Sequence, residues 1–193
     1  MSLGQWSSLQ KAYWNFLNTR ENDQGGDDLF RVVQFDSRAR TIYERCKLAQ
    51  THRSLPFKGG GTTYRMGLEE AYRILQRDQS NSSIDMIFMS DGEDDNSQPL
   101  PKLSEIRGKY QNSCGRNFIC HTVSFGTSVG SGRELLKNMA ATGNGQLFDP
   151  RDGIQLSQVF TQIATQCNTN TLVNRFAEIL SKDISLKIMV DYL

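Results

Sequence analysis

Residues 84–96 have the sequence IDMIFMSDGEDDN, and the rest of the chain can be placed around this stretch. Its first part, 84–89, is a near-continuous apolar run, too short for a useful helix and typical of a strand buried on both faces of a parallel sheet. The run ends at Ser90, Asp91 and Gly92, and three more acidic residues follow. Open α/β sheets bind their ligands beyond the carboxyl ends of their strands. We therefore predict that Asp91 lies at a metal or ligand site.

Composition narrows the classes of protein to which the chain can belong. Its 193 residues are enough for one domain with a sizeable core, since a chain of this size buries roughly 70% of its unfolded surface. The net charge is +1, with basic and acidic residues interspersed, so the sequence predicts no nucleic-acid partner. No apolar run approaches the ~20 residues of a membrane span, and the N-terminus lacks a signal-peptide pattern. We expect a soluble chain without a membrane partner.

The four cysteines, Cys46, Cys114, Cys120 and Cys167, lie far apart and include no CxxC pair. We expect buried or free thiols rather than disulfides, which slightly favours an intracellular location. His121 lies in an apolar strand, where a structural histidine is expected more than a ligand.

Helical and extended patterns alternate along the chain. Apolar periodicity predicts helices over 5–19, 62–75, 101–112, 133–142 and 154–165. Short apolar runs predict strands over 29–35, 39–43, 84–89, 117–125 and 146–148. This alternation predicts an α/β fold with a doubly wound, mostly parallel sheet flanked by helices.

The sequence GGGTT at residues 59–63 precedes one of these helices. Three glycines let the backbone come close to another group, while a hydroxyl at the helix start points outward. On the local sequence, Thr62 or Thr63 is either a simple helix cap or a ligand-binding hydroxyl. The acidic residues at 93–95 are similarly ambiguous, because such a run either holds a cation or forms a solvated loop.

Six blocks, in this order, resemble a von Willebrand factor type A domain over about residues 5–165. They are VVQFDS (32–37), GGGTT (59–63), IDMIFMSDGEDD (84–95), HTVSFG (121–126), LLKNMAATGNGQLFD (135–149) and LSQVFTQIA (156–164). The resemblance implies a Rossmann-like fold with a divalent cation at the top of the sheet, in a metal-ion-dependent adhesion site. It also implies a protein partner whose acidic residue completes the coordination of that cation.

In that family the metal ligands come from an Asp-x-Ser-x-Ser segment, a threonine of the glycine loop and an aspartate after a central strand. Thr62 matches the threonine and Asp91 the aspartate, and Ser90 stands where a threonine is common. Hydroxyls and one or two carboxylates suit Mg²⁺ or another divalent cation. The resemblance places four further residues at the ligand-binding surface: Thr63, Ser90, Gly92 and Glu93.

The chain differs from the family at its N-terminus, because the first predicted helix begins only a few residues after Met1. The family's first strand and its serines are absent there, and Ser2 is the nearest hydroxyl. That strand is central in the family, between the strands that match 29–35 and 84–89. An empty central position would leave rows of buried backbone groups unpaired, so some segment must fill it. Without those serines, we expect metal binding to be weak or absent.

Residues 1–167 therefore form the predicted domain, and 168–193 a C-terminal helix and strand that pack on it or complete it. One hypothesis is that 185–191 fills the central position, within the chain or by exchange in a homo-oligomer. Asp191 would then lie near the metal position. The alternative is an edge strand, or the start of an adjoining domain, with the upstream segment missing.

The function predicted from these features is a non-enzymatic protein-interaction module, with a metal-independent scaffold or regulatory domain as the alternative. The sequence has no GxSxG elbow, no cysteine with a spaced histidine partner and no P-loop lysine after the glycines. Catalysis is therefore not expected.

Overall fold

A computed structural model describes residues 2–23, 25–51, 54–57, 60–78, 80, 82–91, 94–113, 115–126 and 130–167. Helices and strands alternate along these residues. The α-helices are α1 (Leu3–Asn22), α2 (Tyr64–Leu75), α3 (Pro99–Arg107), α4 (Ser131–Thr142) and α5 (153–167). The strands are β1 (Leu29–Phe35), β2 (Ala39–Lys47), β3 (Ile84–Ser90), β4 (Phe118–Ser124) and β5 (Asn144–Phe148). None of the described helices combines the length and apolar character of a membrane span.

The strands form two sheets, and a gap separates the edge strand β1 of one from the edge strand β3 of the other. β3, β4 and β5 make a parallel sheet in that order, and β3 pairs with β4 from Ile84↔Phe118 to Ser90↔Ser124. β1 pairs with β2 in an antiparallel ribbon. No described strand lies between β1 and β3. The predicted α/β fold with a parallel sheet is confirmed, and the described residues leave the central position open.

Helices cover both faces of the sheets and create two hydrophobic cores. On one face α2, α3 and α4 pack around fully buried Tyr64, Leu103, Phe118 and Leu136. On the other face α1 and α5 contribute Ala12, Leu156, Phe160 and Ile163. β3 contacts both cores, because its alternate side chains point to opposite faces: Phe88 belongs to the first and Ile87 to the second. β3 is therefore covered on both faces, as its apolar sequence predicts.

α1 begins earlier and ends later than the predicted range 5–19. Ser2 caps it in a capping box: its Oγ accepts from the N–H of Gln5, and the Gln5 side chain accepts from the N–H of Ser2. At the other end Arg20 is only 2% exposed, because its guanidinium donates to Asp28 at 2.7 Å and to the carbonyl of Ala164 at 2.9 Å. These contacts fix α1 against α5.

α3 and β2 also differ from the sequence prediction. α3 starts at Pro99, since a proline in the first turn lacks only an N–H that has no helical partner there. α3 ends at Arg107, and a π-helical turn follows it over Gly108–Ser113. β2 is longer than the predicted 39–43, because its pairing with β1 continues to Lys47.

The cysteines were predicted to be buried or free thiols, and His121 a structural histidine. The described cysteines are thiols, and burial raises the pKa of Cys120 and of Cys167 to about 12. Cys114 lies outside the described residues. His121 is buried in β4, where its Nδ1 accepts a hydrogen bond from the N–H of Gln146 at 3.2 Å and burial lowers its pKa. Cys120 and His121 are therefore buried within the domain.

Gly145 allows β5 to approach β4, and we expect its replacement to damage the sheet. A Cβ at this position would lie 2.1 Å from the carbonyl oxygen of Cys120 and 2.9 Å from the nitrogen of His121. Both are backbone atoms, which cannot move without disturbing the β4–β5 pairing. Gly145→Ala is therefore expected to lower the free energy of unfolding by about 3 kcal/mol, the upper end of the usual range for overpacking.

Urea unfolding followed by circular dichroism measures this loss. Gly4→Ala is the matched control, since nothing lies within 4 Å of a Cβ at that helical position. It should leave the stability unchanged or slightly higher. Equal losses in the two variants would contradict the proposed backbone clash.

Candidate functional site at the upper end of the central cleft

The gap between β1 and β3 is a cleft with a cavity volume of about 780 Å³. Residues 29–36 line one side, and residues 85 and 87–91 line the other. α1 and α5 close one face with Leu9, Phe16 and Phe160. We call this space the central cleft. Its upper end lies where β1 and β3 reach their carboxyl ends, and its lower end lies where they begin.

Three predicted site residues line this cleft together. Thr62, Ser90 and Asp91 all contribute to its wall, as does Asp36, which follows β1. Ser90 is buried, and its carbonyl oxygen accepts a hydrogen bond from the N–H of Phe125 at 2.9 Å. We call Asp36, Thr62 and Asp91 the rim. The N–H of Asp95 donates to the carbonyl oxygen of Thr62 at 2.9 Å, so the glycine loop contacts the chain that follows β3.

The acidic loop after β3 binds the start of α2. The N–H of Tyr64 donates to Asp94 Oδ1 at 2.7 Å, and Ser97 donates to the same carboxylate through its N–H and its hydroxyl. Thr63 stands at the N-cap position, but its hydroxyl donates to Asp95 Oδ2 at 2.5 Å rather than capping the helix. The cap of α2 thus comes from Asp94, 30 residues further along the chain. Asp94 is half-buried and Asp95 is exposed, and both carboxylates hold the Thr63–Tyr64 turn.

The start of α1 lies near the rim. A Cβ on Gly126 would be 2.4 Å from Gln5 Nε2 and 3.4 Å from the Cβ of Asp91, so Gly126 separates the first turn of α1 from the end of β3. Its φ of +123° also favours glycine. The hydroxyl of Ser2 is already used as the cap of α1. The other predicted site residues, Gly92, Glu93 and Asp191, lie outside the described residues.

The rim offers fewer oxygen ligands than a magnesium site needs. Mg²⁺ requires near-octahedral oxygen coordination by one or two carboxylates together with other oxygen ligands. Here Thr62 and Asp91 supply one hydroxyl and one carboxylate, while the Asp36 carboxylate is bound by the N–H of Arg38 and the guanidinium of Arg40. Among the described residues, no three His, Cys, Asp or Glu side chains are grouped closely enough to hold a metal ion. The described residues alone therefore do not fit the ion.

The lower end of the cleft contains a buried ionic cluster that sequence patterns did not reveal. The Asp78 carboxylate is 2.9 Å from Arg31 and 3.1 Å from Arg116, and their side chains are 2%, 15% and 3% exposed. Burial acts to raise the pKa of Asp78, but hydrogen bonds from Ser80, the positive charge of Arg31 and a hydrogen bond from Arg116 hold it below its ordinary value. The cluster connects β1 to the chain that enters β4.

We expect Asp94→Ala to destabilise α2 by about 1–2 kcal/mol, the usual effect of removing a helix cap. The variant leaves the N–H of Tyr64 without its charged acceptor. Thermal unfolding measures the loss, and hydrogen exchange at Tyr64 locates it. Glu69→Ala is the control on the same helix, because Glu69 is an exposed partner of Arg65 and should matter little. Unchanged exchange at Tyr64 would remove Asp94 from this role.

Comparison with known proteins places the fold. No model of a known protein family matches the chain. Over 113 residues, 58% of the chain, it is 28% identical to calcium-activated chloride channel regulator 1 of Bos taurus, and the match covers 11% of that protein. Its structure is similar to a von Willebrand factor type A structure from Catenulispora acidiphila, with a TM-score of 0.61 and 20% identity, covering 84% of this chain and 38% of that one. The fold is that of a von Willebrand factor type A domain.

The same fold is found in larger proteins. The pilus adhesin SpaC from Lactobacillus rhamnosus GG has a TM-score of 0.66 at 13% identity, covering 86% of this chain and 28% of that protein. The chain spans less than half the length of each of these three proteins. In this fold Thr62 and Asp91 line one cleft.

Proposed function

We propose that this chain is a non-enzymatic protein-interaction module that binds its partner at the rim of the central cleft. The observation that carries the proposal is that Thr62 and Asp91, from two distant segments, line the same cleft near the carboxyl ends of β1 and β3. Ligands of open α/β sheets bind at such an edge. One protein of similar structure is a pilus adhesin, which agrees with a role in recognition.

The charge of the rim bears on the kind of partner. Asp91 is acidic and Asp36 is already paired with Arg40, so a carboxylate of a partner would find no attraction there unless a divalent cation lay between them. Recognition of an acidic residue through Mg²⁺ therefore requires more oxygen ligands than the described residues offer. Glu93 and Asp191 are the candidates that the sequence provides. We propose this cation-dependent binding as the finer form of the function.

A metal-independent scaffold is the second candidate, and the hydrogen bonds near the rim favour it. Ser2 caps α1, Asp94 caps α2, and Asp95 accepts from Thr63. Oxygen atoms that could hold a cation are thus engaged within the chain. His121 is buried in β4 and its Nδ1 already accepts a backbone hydrogen bond, so it is no general base for the rim.

Calorimetric titration with MgCl₂ separates the two candidates. Cation-dependent recognition predicts binding heat for the wild-type chain and at least about tenfold weaker binding for Asp91→Ala, a change of about 1.4 kcal/mol. Asp149→Ala is the control, because Asp149 forms an exposed pair with Arg133 after β5, away from the rim. The scaffold predicts no heat in any of the three proteins.

Binding of an acidic peptide, measured by surface plasmon resonance with and without MgCl₂, tests the partner chemistry. We expect a response that needs the cation and falls with Asp91→Ala. A response that is unchanged by this substitution would place the binding surface elsewhere on the domain.

A further inference from the structure

We propose that residues 184–191 of this chain insert into the central cleft as a β-strand, parallel to β1 and β3 and hydrogen-bonded to both. The strand would join the two sheets into one. It would also bring Asp191 to the rim beside Thr62 and Asp91.

The inner edges of β1 and β3 define the space for such a strand. Among the described strands, β1 pairs only with β2, and β3 pairs only with β4. Unpaired edges in a covered cleft are unfavourable, because each buried N–H or C=O without a partner costs about 1–3 kcal/mol. β1 and β3 have seven residues each, about 23 Å, and the eight residues 184–191 would extend about 26 Å. The lengths match.

Polar atoms in the cleft wall point to a backbone as the occupant. Within the described residues, Trp6 Nε1, Tyr13 Oη, Arg31 Nε and Gln34 Oε1 are buried and have no hydrogen-bond partner, and all four residues line the cleft. Tyr13 is only 7% exposed. Buried polar atoms nearly always have partners. A polypeptide strand offers both N–H and C=O groups along the cleft, whereas an apolar occupant would leave these atoms unpaired.

The two faces of the cleft differ in polarity, and residues 184–191 differ in the same way. The face closed by α1 and α5 is apolar and includes Phe16, Ile87, Met89 and Phe160. The opposite face is polar at its lower end, with Asp78, Ser80 and Ser82, and aromatic near its upper end, with Phe35 and Phe88.

In the segment, alternate residues form an apolar set and a mixed set. The apolar set is Ile184, Leu186, Ile188 and Val190; the mixed set is Ser185, Lys187, Met189 and Asp191. If the strand runs from the lower to the upper end of the cleft, Ser185 and Lys187 lie at the polar lower end and Met189 lies near the aromatic rings. The Asp78 carboxylate is already shared by two guanidinium groups, so we expect no net electrostatic gain from Lys187.

The path of the chain permits this insertion. Cys167, the last described residue, lines the cleft, and its thiol hydrogen-bonds the side chain of Asp85 near the start of β3. The chain therefore leaves α5 at the lower end, where a strand parallel to β3 has to begin. The 16 residues 168–183 could span up to about 55 Å when extended, more than enough to leave the domain surface and return.

Disulfide trapping in the full chain tests the insertion. Ile87→Cys, on the apolar face of β3, is combined in turn with Leu186→Cys, Ile188→Cys or Val190→Cys. A disulfide needs Cβ atoms about 4 Å apart, so only side chains on the same face of adjacent strands can form it. We expect at least one pair to form an intramolecular disulfide on mild oxidation. Peptide mapping of the non-reduced protein by mass spectrometry identifies it and separates it from pairs with the native cysteines.

The control is Ile87→Cys with Lys187→Cys, whose side chain would lie on the opposite face. It should form about tenfold less of the disulfide, because the two Cβ atoms would point apart. A disulfide between two chains, seen as a covalent dimer, would overturn insertion within one chain in favour of exchange. Absence of every pair would overturn the insertion itself.

Hydrogen exchange of the unmodified full chain provides a test that needs no variant. Amides of 184–191 should be protected as strongly as those of β3, at least about 100-fold above the fast-exchanging residues of a mobile terminus. Exchange of this segment at the rate of an unfolded peptide would overturn the proposal. Neither experiment depends on metal or partner binding, so the insertion and the proposed function can fail separately.

Discussion

Replacing Asp78 with asparagine is expected to lower the free energy of unfolding by about 3–5 kcal/mol, the usual effect of removing one partner from a buried ionic group. The Asp78 side chain is 2% exposed and lies within 3.1 Å of both Arg31 and Arg116. Asparagine has nearly the same shape but carries no charge. Two guanidinium groups would then remain together at the lower end of the cleft without a counterion.

Urea unfolding at neutral pH measures this loss, and Asp149→Asn is the matched control. Asp149 contacts Arg133 at 2.6 Å, but both side chains are nearly half exposed, so water can replace the lost partner. We expect little change in the control. A similar small change in Asp78→Asn would mean that the cluster does not connect β1 to the entry of β4.

The same carboxylate should make stability depend on pH on the acid side. The pKa of Asp78 is lower in the folded chain than its ordinary value of 3.8, so the unfolded chain binds its proton first as pH falls. Its contribution is complete well above pH 4 and is lost as the pH falls through the lower, folded pKa. Unfolding free energies measured in steps below pH 5 should decrease for the wild type. The decrease should be shallower in Asp78→Asn, and parallel curves would contradict this assignment.

The sequence predicted the elements of the fold well because each buried strand is an apolar run. The runs at 84–89 and 117–125 correspond to β3 and β4, which are flanked by helices on both faces. The resemblance also predicted that a further strand belongs between β1 and β3, and none of the described strands lies there. Element ends were less accurate, since they depend on caps such as Ser2 and on the pairing that extends β2 to Lys47.

The site was predicted only in part, because its contacts join residues that are distant in sequence. Asp91 was predicted from the end of its apolar strand, Thr62 from the glycine loop and the resemblance, and both line the cleft. The capping of Tyr64 by Asp94 could not be deduced, since no local pattern connects residues 30 positions apart. The same holds for Arg31 and Asp78, which lie on different elements and meet only when β1 packs beside the end of α2.

Phe88→Ala should also destabilise the fold by about 3–5 kcal/mol, the usual range for removing a buried aromatic side chain. Phe88 is 5% exposed, and its ring stacks on Phe35 of β1 with centroids 5.0 Å apart. It also contacts Tyr64 at the start of α2, with centroids 5.1 Å apart. The ring therefore connects the two sheets near the upper end of the cleft, as Asp78 connects them at the lower end.

Urea unfolding of Phe88→Ala, Phe35→Ala and the double variant tests this connection. If the rings interact across the cleft, the sum of the two single losses in unfolding free energy should exceed the loss in the double variant. The expected difference is about 0.5–1.5 kcal/mol, the coupling of an aromatic pair. Phe57→Ala is the control: Phe57 is 38% exposed, and its ring contacts Trp6 outside this group. It should have a clearly smaller effect. Additive losses for Phe35 and Phe88 would show that each ring packs within its own sheet, and the upper ends of the sheets would then be held together by α2 rather than by the aromatic pair.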